Sequence, residues 1–103
     1  MDLYQKQKDL RNVSNFKIAR LKAKLYLGGN TELFISTRKD KKYMVLNPFT
    51  NQMIHFGSIN YEDYTHHNDD YRRLSYLKRA THIKGEWKDN KYSPNNLSIN
   101  ILW

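Results

Sequence analysis

The middle of the chain has the alternation of apolar and polar positions that is typical of short β-strands. In the stretch 33–36, Leu33 and Ile35 alternate with residues that would face the other way, as in a half-buried strand. The charged run 38–42 interrupts this pattern, which resumes at Tyr43 and again in "QMIHF", after the turn residues "NPFTN". The pattern predicts two successive hairpins, and therefore a small antiparallel β-meander of about three strands.

A helical pattern follows the predicted sheet in "NDDYRRLSYLKRA". Asn68 is the predicted N-cap, and Asp69 and Asp70 fall in the first turn, where carboxylates complement the helix dipole. Leu74 and Leu77 share one face of this helix. Because a short sheet must bury its apolar face, we predict that this main helix covers the sheet through Leu74 and Leu77.

The two ends of the chain have different predicted structures. Residues 1–24 are predicted to form a basic N-terminal arm or helix, and residues 25–103 a single α+β domain. The last segment alternates like a strand, whereas Ser93 followed by Pro94 is a favourable helix start; both remain open, and a short helix is favoured. Trp103 is so apolar that we expect the C-terminal segment to dock on the core.

The composition of the chain gives more information about the kind of partner that it binds than about its fold. The 103 residues suit one small domain, and the formal net charge of +8 with a pI near 9.7 favours an acidic partner such as nucleic acid or an acidic protein face. The absence of cysteine excludes disulfides and thiolate chemistry. No apolar run approaches the length of a membrane span, and we therefore predict no membrane partner.

The basic residues form clusters in the predicted hairpin and on the predicted helix. Arg72, Tyr76 and Arg79 share a helix face opposite the leucines, where arginines can pair with phosphates and an aromatic ring can stack on bases. A charged hairpin turn and a solvated helix face are the alternative explanations. The predicted nucleic-acid-binding residues are Arg38, Lys39, Lys41, Lys42, Arg72, Arg73, Tyr76, Lys78 and Arg79.

Metal and catalytic chemistry are less well supported by the sequence. His66 and His67 are adjacent, and neither has a second histidine three or four residues away, the spacing that chelates one ion from a helix face. Glu62 and Asp63 with His66 leave a small metal-dependent nuclease as an alternative. No catalytic or phosphate-loop motif is present. We therefore predict a protein that is not an enzyme, with no cofactor, no metal and no small-molecule substrate.

Four motifs lie within residues 36–103: "STRKDKKYMV", "IHFGSINYEDYTHH", "DDYRRLSYLKRA" and "YSPNNLSINILW". Together they resemble a family of small, basic, largely uncharacterised proteins of giant double-stranded DNA viruses. The resemblance carries no established activity and no site residues. It implies a location in the virion and in the host cytoplasm, including the viral factory.

Charge and resemblance lead to one prediction of function and one alternative. We predict a non-enzymatic, nucleic-acid-associated protein of a large DNA virus, a component of the virion that binds DNA through its basic hairpin and helix. The alternative is a minor capsid-associated protein whose positive charge pairs with acidic surfaces of other virion proteins.

Overall fold

The computed structural model describes residues 2–103 and combines helices with one antiparallel sheet. The helices are α1 (Leu3–Arg11), α2 (Phe16–Leu27), α3 (Tyr64–His67), α4 (Asp70–Ala80) and α5 (Pro94–Leu97), and the strands are β1 (Leu33–Ile35), β2 (Lys41–Asn47) and β3 (Gln52–Ser58). A single 3-10 turn lies at Trp87–Asp89, and α5 continues directly into a π-helical turn at Ser98–Leu102. We call residues 94–102 the C-terminal helix, and residues 59–63, between β3 and α3, the connector.

The sheet confirms the predicted α+β class and the antiparallel meander. Its strand order is β1-β2-β3, and Tyr43 in the central strand faces Ile35 on one side and Phe56 on the other. Tyr43, Val45 and Phe56 are fully buried. The predicted alternation in β1 is confirmed as well, since Leu33 is buried and the next residue is exposed.

The face of the sheet is covered by α2 and by the C-terminal helix. Ala19 and Ala23 of α2 are completely buried, and their small side chains let the helix approach the core closely. The predicted boundary between residues 24 and 25 thus falls inside a helix that shares the core with the rest of the chain. Residue 1 of the predicted segment 1–24 lies outside the described residues.

Helix α4 is present where it was predicted, but its orientation differs. Leu74 is 65% exposed, so the prediction that it packs on the sheet is wrong, and Leu77 is only half-buried. Ala80 is buried, and Tyr76 lies against Trp103, so a different face points inward. The predicted N-cap is also wrong by one residue.

Two adjacent polar residues cap the helices at the junction of α3 and α4. Asp69 is the N-cap of α4 and accepts hydrogen bonds from the backbone N–H groups of Tyr71 and Arg72. Asn68 instead ends α3 in a left-handed conformation, with φ of 54°. Asparagine tolerates this conformation better than most residues, which explains why it serves as a helix end here.

The last segment is helical, and it docks on the core as predicted. Ser93 accepts a hydrogen bond from the backbone N–H of Asn96 and so caps the helix, with Pro94 at its first position. Leu97, Ile101 and Leu102 are almost completely buried. The fully buried apolar positions are 97, 101 and 102, which is a helical spacing, whereas Ile99 of the strand-like alternation is only half-buried.

Substitution of Gly57 is expected to disturb the contact between β3 and the C-terminal helix. Gly57 has φ of +79°, and an added Cβ would lie 2.7 Å from Leu102 Cδ1. Gly57→Ala should therefore lower the free energy of unfolding by about 1–3 kcal/mol. Gly29→Ala is the control, because a Cβ there meets no atom within 4 Å, and its effect should stay within about 0.5 kcal/mol. Urea unfolding checks both variants, and equal stability of the two would contradict this account.

Candidate functional site

A groove of about 720 Å³ opens beside α4. Four parts of the chain line it: the ends of β2 and β3, the connector, α4 with the residues just after it, and the C-terminal helix. Its volume lies within the range of about 300–1,000 Å³ that is usual for ligand sites. The groove is therefore a candidate site on size alone, and the side chains that line it decide what it can bind.

Five of the residues predicted to bind nucleic acid line this groove; one of them, Lys42, is buried and is described below. Lys41 comes from the start of β2, whereas Arg72, Tyr76 and Arg79 come from one side of α4. Arg72 and Arg79 are exposed and Lys41 is half-buried, so their charges can reach a ligand. Tyr76 is partly covered, because its ring stacks on Trp103 with centroids 4.1 Å apart and planes 8° apart. Arg72, Tyr76 and Arg79 thus lie on the same side of α4, and Lys41 lies across the groove from the sheet.

Lys42 does not have the exposed position that was predicted for it. Its side chain is buried, and its Nζ donates a hydrogen bond of 3.0 Å to Oδ2 of Asp63, which is also fully buried. Burial lowers the pKa of Lys42, and the Asp63 carboxylate opposes that shift. Lys42 was misplaced because β2 begins at Lys41, two residues earlier than the apolar pattern indicates. Its charge is used inside the protein and is not available to a ligand.

Asp63 also holds the connector in place beside the groove. Its carboxylate accepts hydrogen bonds from both the backbone N–H and the hydroxyl of Thr65. Its backbone N–H donates to the carbonyl of Val13, between α1 and α2. The Thr65 hydroxyl in turn accepts from the N–H of Asn15 at 2.9 Å. This network fixes the N-terminal helices and the connector relative to β2.

Arg73 and Lys78 lie on α4 but do not line the groove. Arg73 Nε donates a 2.7 Å hydrogen bond to the backbone carbonyl of Trp103, and its guanidinium group lies over the ring of Tyr64. The prediction that Arg73 faces outward is therefore wrong. Lys78 is exposed, as predicted, but it is not among the residues that line the groove.

Arg38 and Lys39 lie in the turn between β1 and β2, and both are exposed as predicted. The turn is held by Lys6 of α1, whose buried Nζ donates to the backbone carbonyls of Ser36 and Arg38. Burial lowers the pKa of Lys6, and nearby Asp40 opposes the shift. This basic turn is rigidly anchored, but neither Arg38 nor Lys39 lines the groove.

Two exposed aromatic rings and one carboxylate also line the groove but were not among the predicted site residues. Tyr61 and Tyr71 are 71% and 79% exposed. Glu62 accepts a hydrogen bond of 2.9 Å from Nδ1 of His66, and its carboxylate lies 3.7 Å from Arg72 Nη1. The hydrogen bond from His66, together with the Arg72 cation, holds the pKa of Glu62 below its usual value. Glu62 therefore places a negative charge beside Arg72.

No group of three or more His, Asp or Glu side chains within residues 2–103 is arranged to hold a metal ion. His67 is packed against the ring of Trp103, with centroids 5.2 Å apart. Burial lowers the pKa of His67, as does the Arg72 cation. No helix in this part of the chain is long and apolar enough to cross a membrane.

The comparisons with known proteins add one partial match. A model described as a family of unknown function (DUF5754) matches residues 31–80, which contain the sheet, the connector and α4. The matched region therefore includes the groove cations and tyrosines but not the C-terminal helix. No curated protein and no solved structure matches the chain.

Loss of the Lys42 charge is expected to destabilise the fold strongly. Lys42→Met would leave the Asp63 carboxylate buried without its cation, which typically costs about 3–5 kcal/mol of unfolding free energy. Adding Asp63→Asn removes the second charge and keeps an oxygen for the Thr65 N–H, so the double variant should regain part of this loss.

Glu32→Gln is the matched control, because it neutralises the exposed member of a partly exposed ion pair with Lys24 and should cost at most about 1 kcal/mol. Urea unfolding of the native protein and the three variants measures the differences. If the double variant is less stable than Lys42→Met, the unpaired Asp63 charge is not the cause of the loss, and this account is wrong.

Proposed function

We propose that this protein binds nucleic acid without catalysis, through the groove beside α4. The observation that supports the proposal is the meeting of three cationic side chains and two exposed tyrosines in one concave surface: Lys41, Arg72, Arg79, Tyr61 and Tyr71. Lysine and arginine attract phosphates, and tyrosine rings provide surfaces on which bases stack. Arg38 and Lys39, exposed in a nearby turn, extend the positive charge beyond the groove.

The charges in the groove favour an anionic ligand. Lys42, which also lines the groove, is neutralised by Asp63, so its charge does not add to the field. Lys41 and Arg79 form no ion pair within residues 2–103, whereas Arg72 lies near Glu62. Two unpaired cations and one partly paired cation thus oppose a single carboxylate.

The resemblance of residues 36–103 to proteins of giant DNA viruses supports a further part of this proposal. In that setting the ligand would be DNA, and the protein would work in the virion or the viral factory. The alternative partner, an acidic face of a virion protein, would use the same cations but would not need the two tyrosines.

Neutralising the groove arginines should weaken nucleic-acid binding without unfolding the protein. Arg72→Gln with Arg79→Gln removes two phosphate contacts, so the affinity should fall for every sequence and the salt slope should decrease by about two. The melting temperature should change little, because both side chains are exposed. Fluorescence anisotropy with labelled 20-mer DNA, as single strand and duplex, measures binding at several salt concentrations.

The control is Lys8→Gln with Lys17→Gln, which changes the net charge equally at exposed positions outside the groove. It should retain most of the affinity. Equal losses in the two double variants would mean that binding depends on net charge and not on the groove. Tighter binding of poly-glutamate than of DNA would favour the acidic protein partner.

Removing the carboxylate from the groove should strengthen binding. Glu62 competes with a phosphate for Arg72, so Glu62→Gln should raise the affinity for DNA about two- to fivefold. Glu32→Gln makes the same change in net charge outside the groove and should have a smaller effect. The same anisotropy titrations compare the two variants, and weaker binding by Glu62→Gln would show that the carboxylate positions Arg72.

A further inference from the structure

We infer that the groove binds a single strand and accepts unpaired bases, in preference to duplex nucleic acid. This inference rests on the proposed function and adds the form of the ligand. Proteins that bind single strands combine a positively charged groove with aromatic side chains on which successive bases stack. The groove beside α4 has both features.

The shape of the groove favours an unpaired strand. A duplex hides the faces of its bases inside the helical stack, and proteins read it by placing a helix or β-ribbon into its grooves. The surface beside α4 is instead a recess between the sheet, the connector, α4 and the C-terminal helix. A recess of about 720 Å³ can hold a flexible nucleotide segment but cannot enter a duplex groove.

Two tyrosines in the groove have faces available for stacking. Tyr61 and Tyr71 are 71% and 79% exposed, and neither forms an aromatic pair within residues 2–103. The ring of Tyr76, by contrast, is already stacked on Trp103 and forms part of the groove wall. An exposed ring that is held at a groove by a helix start or a fixed connector loses little freedom when a base stacks on it.

The cations are spaced to follow a strand. Arg72 and Arg79 are seven residues apart on α4, which corresponds to a rise of about 10.5 Å along the helix axis. A strand in B-form advances about 3.4 Å per nucleotide, so this distance spans about three nucleotides, and fewer in an extended strand. Lys41 supplies a further positive charge from the sheet side. The backbone of a short single strand can therefore contact the arginines while its bases reach the tyrosines.

The test compares single-stranded and duplex probes and removes one stacking ring. Labelled dT12 and a 12-base-pair duplex are titrated with the native protein at low salt, and dT12 should bind at least about tenfold more tightly. Tyr71→Ala should weaken dT12 binding by about 5- to 100-fold, the range expected for loss of one stacked base, and should leave duplex binding nearly unchanged. Tyr71→Phe keeps the ring and should restore most of the affinity.

Tyr4→Ala is the matched control, because Tyr4 is 65% exposed on α1 and does not line the groove. It should bind dT12 like the native protein, and the melting temperatures of all variants should agree. Equal or tighter binding of the duplex, or undiminished dT12 binding by Tyr71→Ala, would overturn this inference and leave the proposed function standing. Failure of both probes to bind the native protein would overturn the proposed function itself.

Discussion

The buried ion pair between Lys42 and Asp63 is the constraint on which the arrangement of this protein depends. Both side chains are removed from water, and a buried charge is tolerated only when its partner and further hydrogen bonds replace the lost hydration. The Asp63 carboxylate meets this requirement by accepting a hydrogen bond from the backbone N–H of Thr65. Its own backbone N–H donates a hydrogen bond to the carbonyl of Val13. The pair therefore fixes a strand, the connector and the N-terminal helices relative to one another. Tyr61 lies two residues before Asp63 in the connector, so the same contacts hold it at the groove.

A second set of contacts sets the rotation of α4. Trp103 stacks on Tyr76, and its backbone carbonyl accepts a hydrogen bond from Arg73, so these two residues turn toward the C-terminal segment. With this rotation, Leu74 is exposed to solvent and Arg72 lines the groove. The aromatic stack and the hydrogen bond thus outweigh the burial of one leucine, which is worth about 1.5–3 kcal/mol.

The sequence predicted the sheet and the presence of α4 because both depend on local patterns. Alternation around Leu33 and turn residues after β2 determine strand positions within a few residues. The rotation of α4 and the burial of Lys42 depend on partners more than 20 residues away in the chain, Trp103 and Asp63, which no local pattern identifies. The groove depends on the same distant contacts. Its cations and Tyr76 could be named from the sequence, whereas Tyr61 and Tyr71 could be recognised only from their position in the structure.

The cationic side chains of this protein differ in whether they already form hydrogen bonds or ion pairs within the fold. Lys42 is paired with a buried carboxylate, Lys6 donates to two backbone carbonyls, and Arg73 donates to a third. Each of these groups remains a cation in the formal charge of +8, yet its hydrogen bonds are directed inward. A cation with its donors already occupied would have to break those bonds to contact a phosphate, and the cost of doing so exceeds the gain from an exposed ion pair. Within residues 2–103 Arg79 and Lys41 form no ion pair, so they are the groove cations that remain free to meet the polyanion proposed above.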